Sequence, residues 1–121
     1  MKIFIMMMVA LSFNIFAETS PKEAFSQAQK GSAVLIDVRE KDEIAEGMIE
    51  NAKWFPLSKI ESDKEWTESF KKMTEGKKIF LYCRSGKRSG RVETILKEHA
   101  ISSENIGGYM ELKNQLPTKK P

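Results

Sequence analysis

At 121 residues, with 40% hydrophobic and 31% charged side chains, seven glycines and four prolines, the chain has room for one globular domain and not two. This composition excludes a collagen, a coiled coil and a disordered chain. A formal charge of +3, one unit of it from Lys2, is too mild an excess to point to nucleic acid.

Residues 1–17, MKIFIMMMVALSFNIFA, place Lys2 before an apolar run and end on the small Ala17, the pattern of a secretory signal cut before Glu18. The run from Ile3 to Ala17, interrupted by Ser12 and Asn14, is too short for a membrane span of about 20 residues. The expected product is an exported domain over 18–121, periplasmic in a Gram-negative cell and otherwise secreted, with no stable membrane anchor once the signal is removed.

Ser20 and Pro21 predict the cap and first position of a short helix stopped by Gly31. Ala33-Val34-Leu35-Ile36-Asp37-Val38 reads as a strand covered on both faces. Asp37 and Arg39 stand at its carboxyl end as a supporting shell, read as a buried ion-paired brace in which Arg39 reaches Glu43, and not as a substrate contact. A short helix ended by Gly47 is expected between Glu40 and Asn51, and Trp54-Phe55-Pro56 reads as a brief strand closed by proline. Trp66, Phe70 and Met73 recur at helical spacing between Ser62 and Thr74 as core residues.

A second strand, Ile79 to Cys83, leads through Arg84-Ser85-Gly86-Lys87-Arg88-Ser89-Gly90 into a helix with Val92, Ile95, Leu96 and Ala100 on one face. Ile106-Gly107-Gly108 predicts a last strand and turn, followed by a helix that packs Tyr109, Leu112 and Leu116. The basic end, Lys119-Lys120-Pro121, reads as a frayed tail. Strands alternating with helices give an α/β fold, a central and mainly parallel sheet flanked by helices on both faces.

Cys83 is the one cysteine, so no internal disulfide can form. In open parallel sheets ligands bind beyond the carboxyl ends of the strands, where both Asp37-Val38-Arg39 and the Cys83 loop fall. A thiol at a helix entrance faces unpaired N–H groups and the positive end of the helix dipole, which favour the thiolate. Arg84, Lys87, Arg88 and Arg91 add positive charge that is expected to lower the Cys83 pKa further. Gly86 and Gly90 allow the tight curvature of an anion-binding nest, a bowl with room for one additional sulfur.

On these residues the chain resembles the rhodanese-like sulfurtransferases. Leu35-Ile36-Asp37-Val38-Arg39-Glu40, Glu43 to Ala52, Phe55-Pro56-Leu57, Leu81 to Ser89 and Gly107-Gly108 stand in that family's order and spacing over nearly all of residues 20–116. Met48 and Leu112 depart from it, replacing a common histidine and tryptophan at what read as packing positions. The resemblance implies that Cys83 is a nucleophile that carries a persulfide. The candidate substrate-binding residues are Arg84, Ser85, Gly86, Lys87, Arg88 and Ser89. The partners implied are a small anionic sulfur donor such as thiosulfate and a thiophilic acceptor, cyanide or a thiol, with a protein acceptor as a further option. The mechanism needs no metal and no organic cofactor.

Rival chemistries fit less well. A cysteine phosphatase or arsenate reductase needs arginine six positions after the cysteine, where Ser89 stands. A papain-like hydrolase needs a histidine beside the thiol, and the one histidine, His99, falls at the far end of the following helix. A sulfur-relay or docking module with little turnover of free thiosulfate is the alternative from another class.

Overall fold

The computed structural model describes residues 18–121; the expected signal segment lies outside them. In chain order the elements are α1 (Pro21–Gln29), β1 (Ala33–Asp37), α2 (Lys41–Ile44), β2 (Met48–Ile49), β3 (Ala52–Trp54), α3 (Leu57–Ser62), α4 (Trp66–Thr74), β4 (Lys78–Cys83), α5 (Lys87–Glu98), β5 (Glu104–Gly108), α6 (Tyr109–Leu112) and β6 (Thr118–Lys119). The main sheet has the order β3-β1-β4-β5, and each neighbouring pair runs parallel.

Period-two alternation along β1 and β4 divides the core into two layers. Ala33, Leu35, Phe80 and Tyr82 face one side, where they meet Ala24 and Phe25 of α1 and Tyr109 and Leu112 of α6. Val34, Ile36, Ile79, Leu81 and Cys83 face the other, against Ile60 of α3, Phe70 of α4 and Val92 and Leu96 of α5. Both faces of the sheet are thus covered, which is why its two central strands are almost wholly apolar. Met48 and Leu112 are buried in the first layer, as their reading as packing positions requires.

The helix ends follow local chemistry. The Ser20 hydroxyl accepts the Glu23 N–H at 3.1 Å, with Pro21 opening α1. At the far end of α5 the expected apolar face stops short of Ala100. That residue adopts a left-handed conformation, φ 61°, while the Ala100 and Ile101 N–H groups turn back to the carbonyls of Lys97 and Leu96. This is the paired bond pattern that closes a helix after a left-handed residue. Ile101, not Ala100, then packs beside Leu96.

Two expectations need correction. The brief strand expected over Trp54-Phe55-Pro56 instead runs Ala52–Trp54 and ends before Phe55, and the segment after Pro56 forms α3, whose Ser58 N–H and hydroxyl both donate to Glu40. The basic end is not frayed: β6 pairs antiparallel with β2, Met48 opposite Lys119 and Ile49 opposite Thr118. The Lys120 ammonium also donates to the Glu46 carbonyl. A ladder of two residues carries too short a pattern to be seen in sequence; it forms because β2 offers open backbone groups where the chain returns.

Candidate active site

Cys83 is the last residue of β4, and α5 begins four residues later at Lys87. Gly86 caps that helix at φ 98°, a conformation that glycine enters without steric cost. The turn aims the Gly86 N–H at Cys83 Sγ, 3.1 Å away, and the first turn of α5 brings the Ser89 hydroxyl to 3.3 Å. Burial pushes the Cys83 thiol up. The Ser89 hydroxyl and the N–H groups of Ser89, Gly86 and Ser85 pull it down and prevail, leaving it below its ordinary value. The cationic side chains expected to do this are not its main cause; oriented dipoles at hydrogen-bond range are.

Asn105, which sequence reasoning missed, braces this turn from β5. Its side-chain N–H donates to the Gly86 carbonyl at 2.9 Å, and its side-chain oxygen accepts from the Ser89 hydroxyl at 2.8 Å and the Gly107 N–H at 3.1 Å. Ser89 has a single proton and two acceptors in reach. When the thiol ionises, turning that proton from Asn105 to Sγ satisfies the new charge with no movement of backbone. Ser89→Ala is therefore expected to raise the pH at which Cys83 becomes reactive and to slow its alkylation by iodoacetamide near neutrality about threefold to tenfold. An unchanged pH profile of alkylation would count against the role given to this hydroxyl.

The charged residues are paired differently from expectation. Arg39 does not engage the Glu43 carboxylate. It forks onto Asp37, with Nε to Oδ1 at 3.0 Å and Nη2 to Oδ2 at 2.8 Å, and donates to the Gly47 and Glu43 carbonyls. Its guanidinium carbon lies 4.1 Å from the centre of the Tyr109 ring. Arg39 and Asp37 are both buried, and they pair at the end of β1 with no hydrogen bond to Cys83. The Glu43 carboxylate instead takes Arg88, two bonds of 2.7 Å each, and this fork lowers the Glu43 pKa to about 2. Arg88 is thereby committed to α2. Arg91 pairs with Glu61. Arg84 and Lys87 are exposed and have no acidic partner among the described residues.

The bowl itself is closed. Cys83 is 0% exposed, packed on its β4 side by the second apolar layer and covered on the other by its own turn. A solute reaches Sγ only if that turn yields. Gly108, paired with Cys83 across the sheet, fits against the turn so closely that a Cβ there would overlap the Arg84 carbonyl oxygen and stand 2.7 Å from Ser85 Cα. Gly108→Ala is expected to displace the turn, costing about 1–3 kcal/mol of stability and lengthening the bonds to Sγ. Denaturant unfolding, together with the alkylation rate of Cys83, checks this, and a wild-type value for both would refute it.

Beside the turn lies a hollow of about 220 Å³ lined by Arg84, Ser85, Gly108, Met110 and Glu111. A larger cavity of about 630 Å³, near Lys71, Lys78, Ile101 and Ser103, opens at the amino ends of β4 and β5, the opposite end of the sheet from the thiol. His99 is exposed, caps α5 and stacks edge-on against Trp66 at 5.0 Å, as its reading as a surface residue near a helix end requires.

A family model for the rhodanese-like domain matches residues 20–115. Over 85 residues the chain is 41% identical to a protein of Schizosaccharomyces pombe named "Putative thiosulfate sulfurtransferase, mitochondrial"; the match covers 64% of this chain and 58% of that one. Among solved structures, a rhodanese-related protein of Thermoplasma volcanium superposes with a TM-score of 0.66 at 20% identity, covering 86% of this chain and 98% of its own. An E. coli rhodanese solved with anions gives a TM-score of 0.57 at 26% identity, covering 73% and 98%.

Proposed function

Because the chain belongs to the rhodanese-like domain family, we propose that it is a sulfurtransferase that moves a sulfane sulfur from thiosulfate or a similar donor to a thiophilic acceptor through a persulfide on Cys83. The observation that carries this reading is Sγ held at 3.1 Å from the Gly86 N–H and 3.3 Å from the Ser89 hydroxyl, at the amino end of α5.

In the first half-reaction the Cys83 thiolate attacks the outer sulfur of thiosulfate. The S–S bond of the donor breaks, and sulfite leaves with its electron pair. In the second, cyanide or a thiolate attacks the outer sulfur of the persulfide, and Cys83 departs as the thiolate. The amides and the Ser89 hydroxyl that favour the thiolate serve it twice, as nucleophile and as leaving group. Arg84 and Lys87, exposed and without an acidic partner among the described residues, are the cations placed to draw in the dianionic donor, whereas Arg88 would first have to leave Glu43. That a rhodanese of E. coli was solved with anions supports an anionic donor. The N-terminal pattern supports action outside the cytoplasm, on a domain from which residues 1–17 have been removed.

Intact mass after incubation with thiosulfate tests the proposal. One added sulfur atom, removed by cyanide, is the expected result; no adduct with thiosulfate or with a persulfide donor would overturn it. The full burial of Cys83 favours the second reading, relay to a protein partner with slow turnover of free thiosulfate, because a partner can open the turn as it docks.

A further inference from the structure

Trp54 and Met110, 37% and 42% exposed, are the two large hydrophobic side chains left in solvent among the described residues. Trp54 ends β3, and its indole N–H is fixed to the Arg39 carbonyl at 2.8 Å. Met110 follows β5, and its backbone N–H donates to the Arg84 carbonyl in the Cys83 turn. The strand order β3-β1-β4-β5 therefore sets the two at opposite edges of the carboxyl end of the sheet, with Trp54 on the face of Ala52 and Met110 next to the thiol turn. Three strand spacings separate β3 from β5, roughly 14 Å, about the reach of five extended residues.

The space beside the turn is chemically mixed. Met110 forms an apolar wall of the 220 Å³ hollow, Arg84 is its cation and Glu111 its one acid. Lys87 stands just past the turn, exposed like Arg84. Among the described residues neither cation is spent on an internal ion pair, although Arg39, Arg88 and Arg91 all are. A single apolar side chain in solvent needs no explanation, but Met110 lines a hollow beside the thiol turn together with Arg84, and with Lys87 exposed just past that turn the mixture marks a contact surface.

Resting on the sulfurtransferase reading above, we propose that the acceptor is a protein whose thiol sits in an extended acidic segment, with an apolar side chain next to the cysteine seated in the hollow against Met110. The acceptor thiolate attacks the outer sulfur of the Cys83 persulfide. The S–S bond to Cys83 breaks, Cys83 leaves as the thiolate, and the acceptor becomes the persulfide, so no oxidant or reductant is consumed. Acidic flanks are drawn by Arg84 and Lys87, and the apolar neighbour is what distinguishes this acceptor from a small free thiol.

The test uses the persulfide form of the protein, loaded with thiosulfate, and two synthetic peptides, Asp-Glu-Cys-Leu-Glu and Lys-Lys-Cys-Leu-Lys, with cyanide as the small acceptor. Transfer to the acidic peptide is expected to be about tenfold faster at low salt, with the preference shrinking as salt is raised. Met110→Glu is expected to slow transfer to the acidic peptide about tenfold while leaving transfer to cyanide within about twofold. Equal rates with both peptides, a preference for the basic one, or an unchanged rate in Met110→Glu overturns the acceptor proposal while transfer to cyanide leaves the sulfurtransferase reading intact. Absence of any Cys83 adduct overturns both.

Discussion

Cys83→Ser is expected to lower the proposed sulfur transfer from thiosulfate by at least about a thousandfold and to abolish the sulfur adduct that intact mass should find on the wild-type protein, while the domain stays folded. The reason is chemical and local. A serine oxygen fits the space of the sulfur and can accept the same bonds, from the Gly86 N–H and the Ser89 hydroxyl, so no buried polar atom is orphaned. Its hydroxyl, however, does not ionise near neutrality, and the dipoles that tip a thiol toward its anion fall far short of doing so for an alcohol. The change in unfolding free energy should stay within about 1 kcal/mol. A variant that retains turnover would place the chemistry elsewhere; one that loses both turnover and fold would leave the nucleophile to be judged by alkylation of the native protein, with Cys83 the residue modified.

Asp37→Ala is expected to cost about 3–5 kcal/mol of stability, because it leaves the Arg39 guanidinium, 2% exposed, without its counter-charge. The remaining partners, the carbonyls of Gly47 and Glu43 and the face of Tyr109, do not neutralise a buried cation. Arg39→Met removes the charge as well as the fork, and the double variant should be less unstable than the two single losses added together, since neither charge is then stranded. Urea unfolding of the four proteins checks this. Strict additivity, or a loss below about 1 kcal/mol in Asp37→Ala, would show that the pair is not the brace at the end of β1. Asp37 and Arg39 make no hydrogen bond to Cys83, so any fall in activity should track the fraction unfolded.

Most of the architecture was readable because it rests on short-range patterns. An apolar run with β-branched residues made β1 and β4 recognisable, Ser20-Pro21 marked the start of α1, and a cysteine followed by Gly86 put the thiol at a strand-to-helix turn. Period alone sufficed for the layers, since residues that alternate along a strand must face opposite sides. The pairing of charged groups was not readable in the same way. Glu43 and Arg88 are 45 positions apart, and nothing within either segment says that they meet. Arg39 was correctly read as a buried brace but given the wrong acid, because Asp37, two residues back, can fold onto it only when the end of β1 bends as it does here. Asn105 gave no signal at all: an asparagine before a Gly-Gly turn reads as loop chemistry until β5 is laid beside β4.

By itself, then, the amino-acid sequence determined the parallel α/β layering, the identity of the nucleophile candidate and its place at the mouth of α5, since these follow from hydrophobic period and from residues adjacent in the chain. Only the tertiary structure decided that the thiolate is favoured by the Ser89 hydroxyl and backbone N–H groups more than by nearby cations, that Arg88 is held by α2, and that the thiol is closed over. Each of these depends on distances of a few ångströms between segments far apart in sequence, and at that range a hydrogen bond in a dry site outweighs a larger number of charges that water still reaches.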